Sequence, residues 1–202
     1  RLIEGRKLFL GAIEIPYSKG LLGHSDGDAL IHAFCDALLG ALALGDIGEY
    51  FPDTDPKYQG IASSQLLKAV KALVDKSGYK INNIDAVIIA QEPGLTPFKK
   101  QMKQKLCALL DLNADCLNIK AKTNEGLAAV GKCEAIACYV VASLVKHPAL
   151  MELRRYALSG QREEIMATAK LEELIKSIET MSVLELSDLV KHVYGPNATA
   201  MI

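Results

Sequence analysis

Asp28, His32 and Asp36 stand four residues apart in a segment that is otherwise apolar, with Leu30, Ile31, Phe34, Leu38, Leu39 and Leu42 around them. On a helix, that spacing puts the three polar groups on one face, one above the next. Burying a carboxylate or an imidazole is costly unless it is paired or bound to a metal. The segment therefore has to fold with this stripe against partners, and the stripe marks a candidate site.

The chain has 202 residues, half of them hydrophobic, and no Trp. This suffices for one domain of ordinary size with a sizeable core, plus an appendage. The net charge of −1 gives no general electrostatic case for nucleic acid or a membrane surface, and no apolar run is long enough to span a bilayer. The cysteines Cys35, Cys107, Cys116, Cys133 and Cys138 are odd in number and form no C-x-x-C pair. They read as reduced, buried thiols of a reducing compartment. The sequence opens on Arg1 rather than Met, so a removed targeting peptide or a missing N-terminus is expected.

Lys7 to Ile13 reads as a strand with Gly11 as a weak point or bulge, and Pro16 to Gly23 as a turn-rich loop. Asp28 is placed to cap a helix running to about Leu44, with Gly45 as its stop. Ala29, Ala33, Ala37 and Gly40 make a small-residue seam on it. The prolines and Gly48 of the acidic run Asp46 to Pro56 exclude regular structure there. Ser63 to Ser77 is an amphipathic helix capped by Ser63 or Ser64, and Gly78 ends it. Asp85 to Gln91 is a buried strand, Thr96 or Pro97 opens a helix to about Leu112, and Cys116 to Thr123 alternates as a strand. Glu134 to Val145 fits strand or helix. The alternation predicts an α/β domain over residues 1–146 in two layers, a mixed sheet with helices on one face. After His147-Pro148, residues 147–202 read as an all-helical extension of unknown role.

Four constellations carry possible chemistry, and each has a plain structural alternative. His32 could bind a divalent metal through one ring nitrogen while Asp28 or Asp36 orients the ring, or it could be a satisfied core histidine beside a capping Asp28. One histidine is too few ligands for a catalytic zinc, which takes three. His24 and Ser25 lie just before a helix N-terminus, where a phosphate is favoured, or they form a turn closed by local side chains. Lys122-Thr123-Asn124-Glu125 leaves a strand end for a Gly-containing loop, the place where α/β folds commonly bind ligands. Thr123 offers a hydroxyl there, Glu125 a carboxylate for Mg²⁺ and Lys132 a cation, or the segment is a polar turn. Ala90 to Thr96 suits backbone recognition of a flat ring, or it is an ordinary strand-to-helix loop.

In this order, Gly-Leu-Leu-Gly-His24-Ser25-Asp26-Gly27-Asp28-x3-His32, Asp46-Ile47-Gly48, Phe51-Pro52-Asp53-Thr54-Asp55-Pro56 and Lys122-Thr123-Asn124-Glu125-Gly126-Leu127 resemble the 2-C-methyl-D-erythritol 2,4-cyclodiphosphate synthase family. The resemblance covers roughly residues 1–146. It implies a homotrimer of α/β subunits with sites between neighbours. The implied reaction turns 4-diphosphocytidyl-2-C-methyl-D-erythritol 2-phosphate into the cyclodiphosphate, releases CMP and belongs to non-mevalonate isoprenoid synthesis. It further implies a phosphorus-oxygen lyase of the bacterial cytoplasm or plastid stroma. Two divalent cations are implied, Zn²⁺ held partly by His32 and Mg²⁺ or Mn²⁺ bridging the substrate phosphates and Glu125. His24 and Thr123 are implied to stabilise the transition state, with Asp28 and Asp36 supporting the metal ligand. Substrate contacts are implied at His24, Ser25, Asp46, Ile47, Gly48, Phe51, Pro52, Asp53, Thr54 and Asp55. Ala90, Gln91, Glu92, Pro93, Gly94, Leu95 and Thr96 would form the cytosine pocket. Lys122, Thr123, Asn124, Glu125, Ala129 and Lys132 complete the implied contacts.

The chain departs from the family pattern in four places. The Asp-x-His pair that supplies the other zinc ligands would stand just before Arg1. Gly94 replaces a common Lys, Lys132 a common Arg whose bidentate fork is lost, and Ala129 an aromatic residue of some members. The extension also contains Leu171 to Lys191, a segment similar to the N-terminal helical dimerisation segment of the bacterial ribosomal stalk protein. An amphipathic hairpin packing on its own domain or a neighbour is the plainer expectation. A catalytically inactive trimeric scaffold that binds a protein partner through residues 149–202 is the competing reading. An Asp-x-His encoded immediately upstream of Arg1 would favour the enzyme, and a start codon without the pair the scaffold.

Overall fold

The structure, a computed structural model, describes residues 1–147. The helical reading of the extension, with its stalk-like stretch, lies outside the described residues. The chain divides into two compact units, Arg1–Ser77 with Ile81–Val145, and Gly78–Lys80 with Lys146–Ile202. In the second, the His147 N–H donates to the Gly78 carbonyl at 2.9 Å.

The first strands are short and antiparallel. Strand β1 (Leu2–Glu4) pairs with β4 (Lys19–Leu21), and β2 (Leu8–Leu10) with β3 (Ile13–Ile15). The single strand expected from Lys7 to Ile13 is thus a hairpin. Leu10 pairs with Ile13, which leaves a two-residue loop, and Gly11 and Ala12 both take φ of 62°. Two consecutive left-handed residues are what a type I′ hairpin turn requires. Gly11 is therefore the turn itself and not a bulge. Strand β4 likewise falls inside the stretch expected to be only loop, because Gly20 leaves no side chain where the Lys7 carbonyl oxygen would lie 2.2 Å from a Cβ.

Helix α1 (Ala29–Ala41) follows, N-capped by Asp28 as its sequence dictates. It buries Leu30, Ile31, Phe34, Cys35, Leu38 and Leu39, and each large side chain removed from water contributes roughly 1.5–3 kcal/mol. Its end lies earlier than expected. Ala43 takes the left-handed position (φ 56°), with Ala43 N–H on the Gly40 carbonyl and Leu44 N–H on that of Leu39. This Schellman closure precedes Gly45. The small-residue seam stays partly open, with Ala29, Ala33 and Ala37 half-buried and Gly40 exposed.

The acidic run does contain regular structure. Asp46 caps a short helix, α2 (Ile47–Tyr50), and Asp55 caps a 3₁₀ turn at Pro56–Tyr58. Its carboxylates cap helical turns that its prolines and glycine seemed to forbid. Helix α3 (Ser63–Lys76) is N-capped by Ala62 without a side-chain bond, so neither serine caps it. The Ser63 N–H is taken instead by Asp26 Oδ2 at 3.0 Å, a cap delivered from another part of the chain.

Strand β5 (Tyr79–Ile89) is central in a sheet of order β6-β5-β7, with β6 (Leu117–Lys122) parallel to it and β7 (Ala137–Lys146) on its other side. The segment that fitted strand or helix is β7. Helix α4 (Lys99–Leu110) enters through a 3₁₀ turn at Thr96–Phe98, ends at left-handed Asp111 and packs on β6. One sheet face buries Ile84, Ala86, Ile88, Leu117 and Ile119. The other carries Asp85, Asn118 and Lys120, and along β7 it leaves Tyr139 and Val141 63% and 73% exposed. The α/β class holds, with the strands of the described residues divided among three sheets. All five cysteines are free, but only Cys35 is fully buried.

Asp28 ties these parts together. Its carboxylate is fully buried and accepts N–H bonds from Gly11 (3.0 Å), Ala12 (2.7 Å) and Ile31 (3.0 Å). Burial pushes its pKa up from 3.8 to about 6, against the pull of those donors. A carboxyl raised in the folded state binds its proton better folded than unfolded, so this group's stabilisation is complete below 3.8 and is lost as pH rises through about 6. Asp28→Ala should cost about 3 kcal/mol or more at pH 7, from the lost cap and the orphaned hairpin amides. Urea denaturation across pH should show that deficit widening as pH falls from 7 to 4.5.

Candidate functional site

The loop His24 to Asp28 leaves β4 and enters α1, and its backbone is satisfied from within. Gly27 N–H goes to Ser25 Oγ (3.2 Å) and Asp28 N–H to Asp26 Oδ1 (3.2 Å). With Ile31 N–H held by Asp28, few amides at this helix N-terminus are left for an anion. His24 points outward, 3.8 Å from Asp53, with the two side chains 67% and 69% exposed. A pair this wet stabilises little, so the imidazole can take an anionic group instead. The His24 carbonyl accepts Gly60 N–H at 2.7 Å, which fastens the loop to the Phe51 to Gly60 segment. There Phe51 meets Tyr58 edge-on at 5.4 Å, and the Lys57 ammonium lies 4.4 Å from the Tyr58 ring centre.

His32 sits one turn into α1. Its Nε2 is 3.2 Å from both Ser25 Oγ and Ser63 Oγ, and Ser63 Oγ donates to Asp26 Oδ1. Burial lowers the His32 pKa, with Asp26 and Asp36 pulling the other way, so the ring is in its neutral, metal-binding form. Ser25, expected to face a phosphate, is buried with its hydroxyl toward His32. Asp28 and Asp36 were expected to orient the ring. Asp28 spends its oxygens on the hairpin and the helix cap, and Asp36 Oδ1 accepts Ile47 N–H at 2.9 Å. Asp36 thereby fixes the start of Asp46-Ile47-Gly48.

A second group gathers where the parallel pair β5 and β6 ends, the usual ligand edge of such a sheet. Ala90 N–H bonds the Lys122 carbonyl (2.9 Å), and Gly126 N–H bonds Gln91 Oε1 (3.1 Å). The Ala90 to Thr96 loop and the Lys122 to Gly126 loop therefore lie side by side. Thr123 Oγ1 donates to Glu125 Oε1 at 2.8 Å, and Asn124 closes its own turn on the Leu127 carbonyl. Thr123 and Glu125 are exposed, Glu92 accepts from Tyr17 (3.3 Å), and Gly94 has open space around it. Ala129 lies on the short helix α5 (Ala128–Gly131) and lines a cavity of about 560 Å³ with Arg1, Leu2, Lys19, Cys133, Glu134 and Ala135. Lys132, just beyond α5, is exposed.

Three residues of the first group escaped the sequence reading. Arg6 holds the Ser25 carbonyl, Asp26 anchors α3, and Ser63 meets the His32 ring. Asp26 stands in the quoted motif, but nothing local couples it to Ser63, 37 positions on. Among the described residues no three His, Cys, Asp or Glu side chains converge on a metal position. His32 fits as one donor of such a set and Glu125 offers an exposed carboxylate, and neither forms a complete set alone.

Comparison with known proteins gives consistent matches. Residues 1–145 match the model described as the YgbB family. A 2-C-methyl-D-erythritol 2,4-cyclodiphosphate synthase from Clostridium acetobutylicum is 53% identical over 145 residues, covering 72% of this chain and 94% of that protein. A solved 2C-methyl-D-erythritol-2,4-cyclodiphosphate synthase in a CDP-bound form is similar with a TM-score of 0.67 at 41% identity, covering 72% of this chain and 94% of that one. The bifunctional IspDF of Campylobacter jejuni matches with a TM-score of 0.68 at 41% identity, over 72% of this chain and 39% of that longer one.

Asp36→Ala should free the Ile47 amide while changing global stability by only about 0.5 kcal/mol, as for an exposed side chain. Native-state hydrogen exchange should show faster exchange at Ile47 with α1 protection unchanged. Equal loss of protection in both would contradict a local role for Asp36.

Proposed function

The chain belongs to the YgbB family, and on that premise we propose that it cyclises 4-diphosphocytidyl-2-C-methyl-D-erythritol 2-phosphate to 2-C-methyl-D-erythritol 2,4-cyclodiphosphate with release of CMP. The observation that carries this reading is the exposed pair of loops at the β5 and β6 ends, with Thr123 beside Glu125, in a chain 53% identical to a named synthase. That relative is matched over nearly its whole length, which favours an enzyme over an inactive scaffold.

In the proposed reaction a 2-phosphate oxygen attacks the β-phosphorus. The new P–O bond forms as the bond to the bridging oxygen breaks, and that oxygen leaves with its electron pair on CMP. Both partners are anionic, so the work is positioning and charge neutralisation. His24 meets a phosphate from the α1 side and Thr123 from the sheet side, each donating to charge that grows in the transition state. Asp46, Ile47 and Gly48, set in place by Asp36, face the sugar portions, and Phe51 to Asp55 wall that side. Ala90 to Thr96 present backbone groups to the cytosine, with Lys122 and Lys132 as cations and Ala129 at the cavity rim.

A divalent ion with His32 among its ligands, with Zn²⁺ the candidate, and Mg²⁺ or Mn²⁺ at Glu125 would supply Lewis acidity and phosphate neutralisation when bound. We place the two groups of residues in one site through a homotrimer, the outward face of β7 with its exposed Tyr139 and Val141 forming part of the contact. Among the described residues no helix is long and apolar enough to cross a membrane. A bacterial cytoplasmic or plastid-stromal lyase fits the reading, and the proposed protein partner of residues 149–202 lies outside the described residues.

The test is CMP release from the diphosphocytidyl substrate by the full-length protein, in Mg²⁺ and Zn²⁺. EDTA should abolish it, and His24→Ala and Thr123→Ala should each lower kcat by about 10²–10³ with unfolding midpoints unchanged. No CMP under these conditions would overturn the proposal.

A further inference from the structure

We infer that Ser63, with Asp26 behind it, is a positioning residue that holds His32 in the Nε2–H tautomer and leaves Nδ1 as the ring's only lone-pair nitrogen. The inference deepens the metal-ligand role proposed for His32 and rests on that reading for its functional meaning, though not for its geometry.

The argument follows the protons. Ser63 is fully buried and has one hydroxyl proton. Asp26 is an acceptor there: Oδ2 takes Ser63 N–H at 3.0 Å, Oδ1 takes Asp28 N–H at 3.2 Å, and Oδ1 also takes the Ser63 hydroxyl at 2.5 Å. Ser63 Oγ also lies 3.4 Å from Ser25 Oγ, but its proton goes to the charged and nearer carboxylate oxygen at 2.5 Å, so toward the His32 Nε2 at 3.2 Å it accepts. A lone pair on Nε2 would face a lone pair on Ser63 Oγ, so Nε2 carries the hydrogen. Ser25, also 3.2 Å from Nε2, does not decide the matter, because its hydroxyl can donate or accept. The same carboxylate thus holds the first amide of α3 and orients the ring of α1. A ring nitrogen fixed as a donor to a polar partner, with the other left as ligand, is the usual outer-shell arrangement of a metal-binding histidine.

The test is long-range ¹H–¹⁵N NMR of the full chain, metal-free, above the pH at which His32 is protonated. The wild type should show His32 as Nε2–H. Ser63→Ala leaves only the ambivalent Ser25 and should lower the ratio of Nε2–H to Nδ1–H about tenfold, the worth of one directed hydrogen bond. Ser25→Ala should leave the Nε2–H form dominant, and this variant together with the wild type decides the matter if Ser63→Ala fails to fold. A wild-type ring in the Nδ1–H form, or a ratio unmoved by Ser63→Ala, would overturn the inference. A parallel Zn²⁺ titration of the full-length protein should show Ser63→Ala binding about 10- to 100-fold more weakly. If the tautomer result holds while neither protein binds Zn²⁺, the metal-ligand reading fails and the positioning of the ring stands.

Discussion

One buried carboxylate governs how this domain closes. Asp28 lies where a hairpin turn meets a helix N-terminus, two structures that each leave amide hydrogens without backbone partners. By accepting from Gly11, Ala12 and Ile31, it satisfies both and sets the distance between them. The strain of a left-handed Ala12 is tolerable because that residue's N–H gains a charged acceptor. Once this junction is fixed, the apolar face of α1 is presented to the core in one rotation only. His32, one turn on, is then delivered to Ser25 and Ser63 with no freedom to turn elsewhere.

What was legible in the sequence followed local physics. The cap at Asp28, the period of α1, the apolar run of β5 and the alternation of β6 each depend on neighbours within a few residues. The features that escaped do not. The Gly11-Ala12 turn carries no Asn-Gly or Asp-Gly signature, so its second left-handed residue looked like any alanine. The prolines and glycine of the acidic run argue for irregular structure, whereas Asp46 and Asp55 supply caps that make short helical turns worthwhile. The cap on α3 comes from Asp26, across the fold, and spacing carries no trace of it.

The site shows the same division. The motif blocks around His24, Asp46, Phe51 and Thr123 are readable as blocks, and all lie within residues 1–145, which match the family. Their internal wiring is not readable. Asp36 shares a helix face with the His32 ring, which points to the two as partners, yet its oxygen is drawn to the free amide that begins α2. An unpaired amide at a helix start outcompetes an imidazole that already has two hydroxyls. Helix-face geometry shows which groups are near one another, and the demand of unsatisfied backbone donors decides which of them bond.

That demand also explains how a chain with so many carboxylates around its candidate site can receive a polyphosphate. Asp26, Asp28, Asp36, Asp46 and Asp55 each accept backbone N–H groups, so their charge is partly met by oriented peptide dipoles. Asp26 and Asp28 are consumed as structural acceptors, and Asp36, Asp46 and Asp55 each spend an oxygen on buttressing a loop. Outward among the proposed contacts stand His24, Lys122, Thr123, Glu125 and Lys132, three of them nitrogen bases, together with the exposed carboxylates of Asp46 and Asp53. A doubly anionic phosphate approaching a diphosphate needs more positive charge than these supply, and Glu125 by itself adds to the deficit. The exposed Glu125 is therefore useful to such a reaction as a carboxylate that recruits a divalent cation. Under the proposed reaction, the acid-rich loops and a recruited divalent cation would be two parts of one solution: carboxylates brace the backbone, and the cation's charge would serve the substrate.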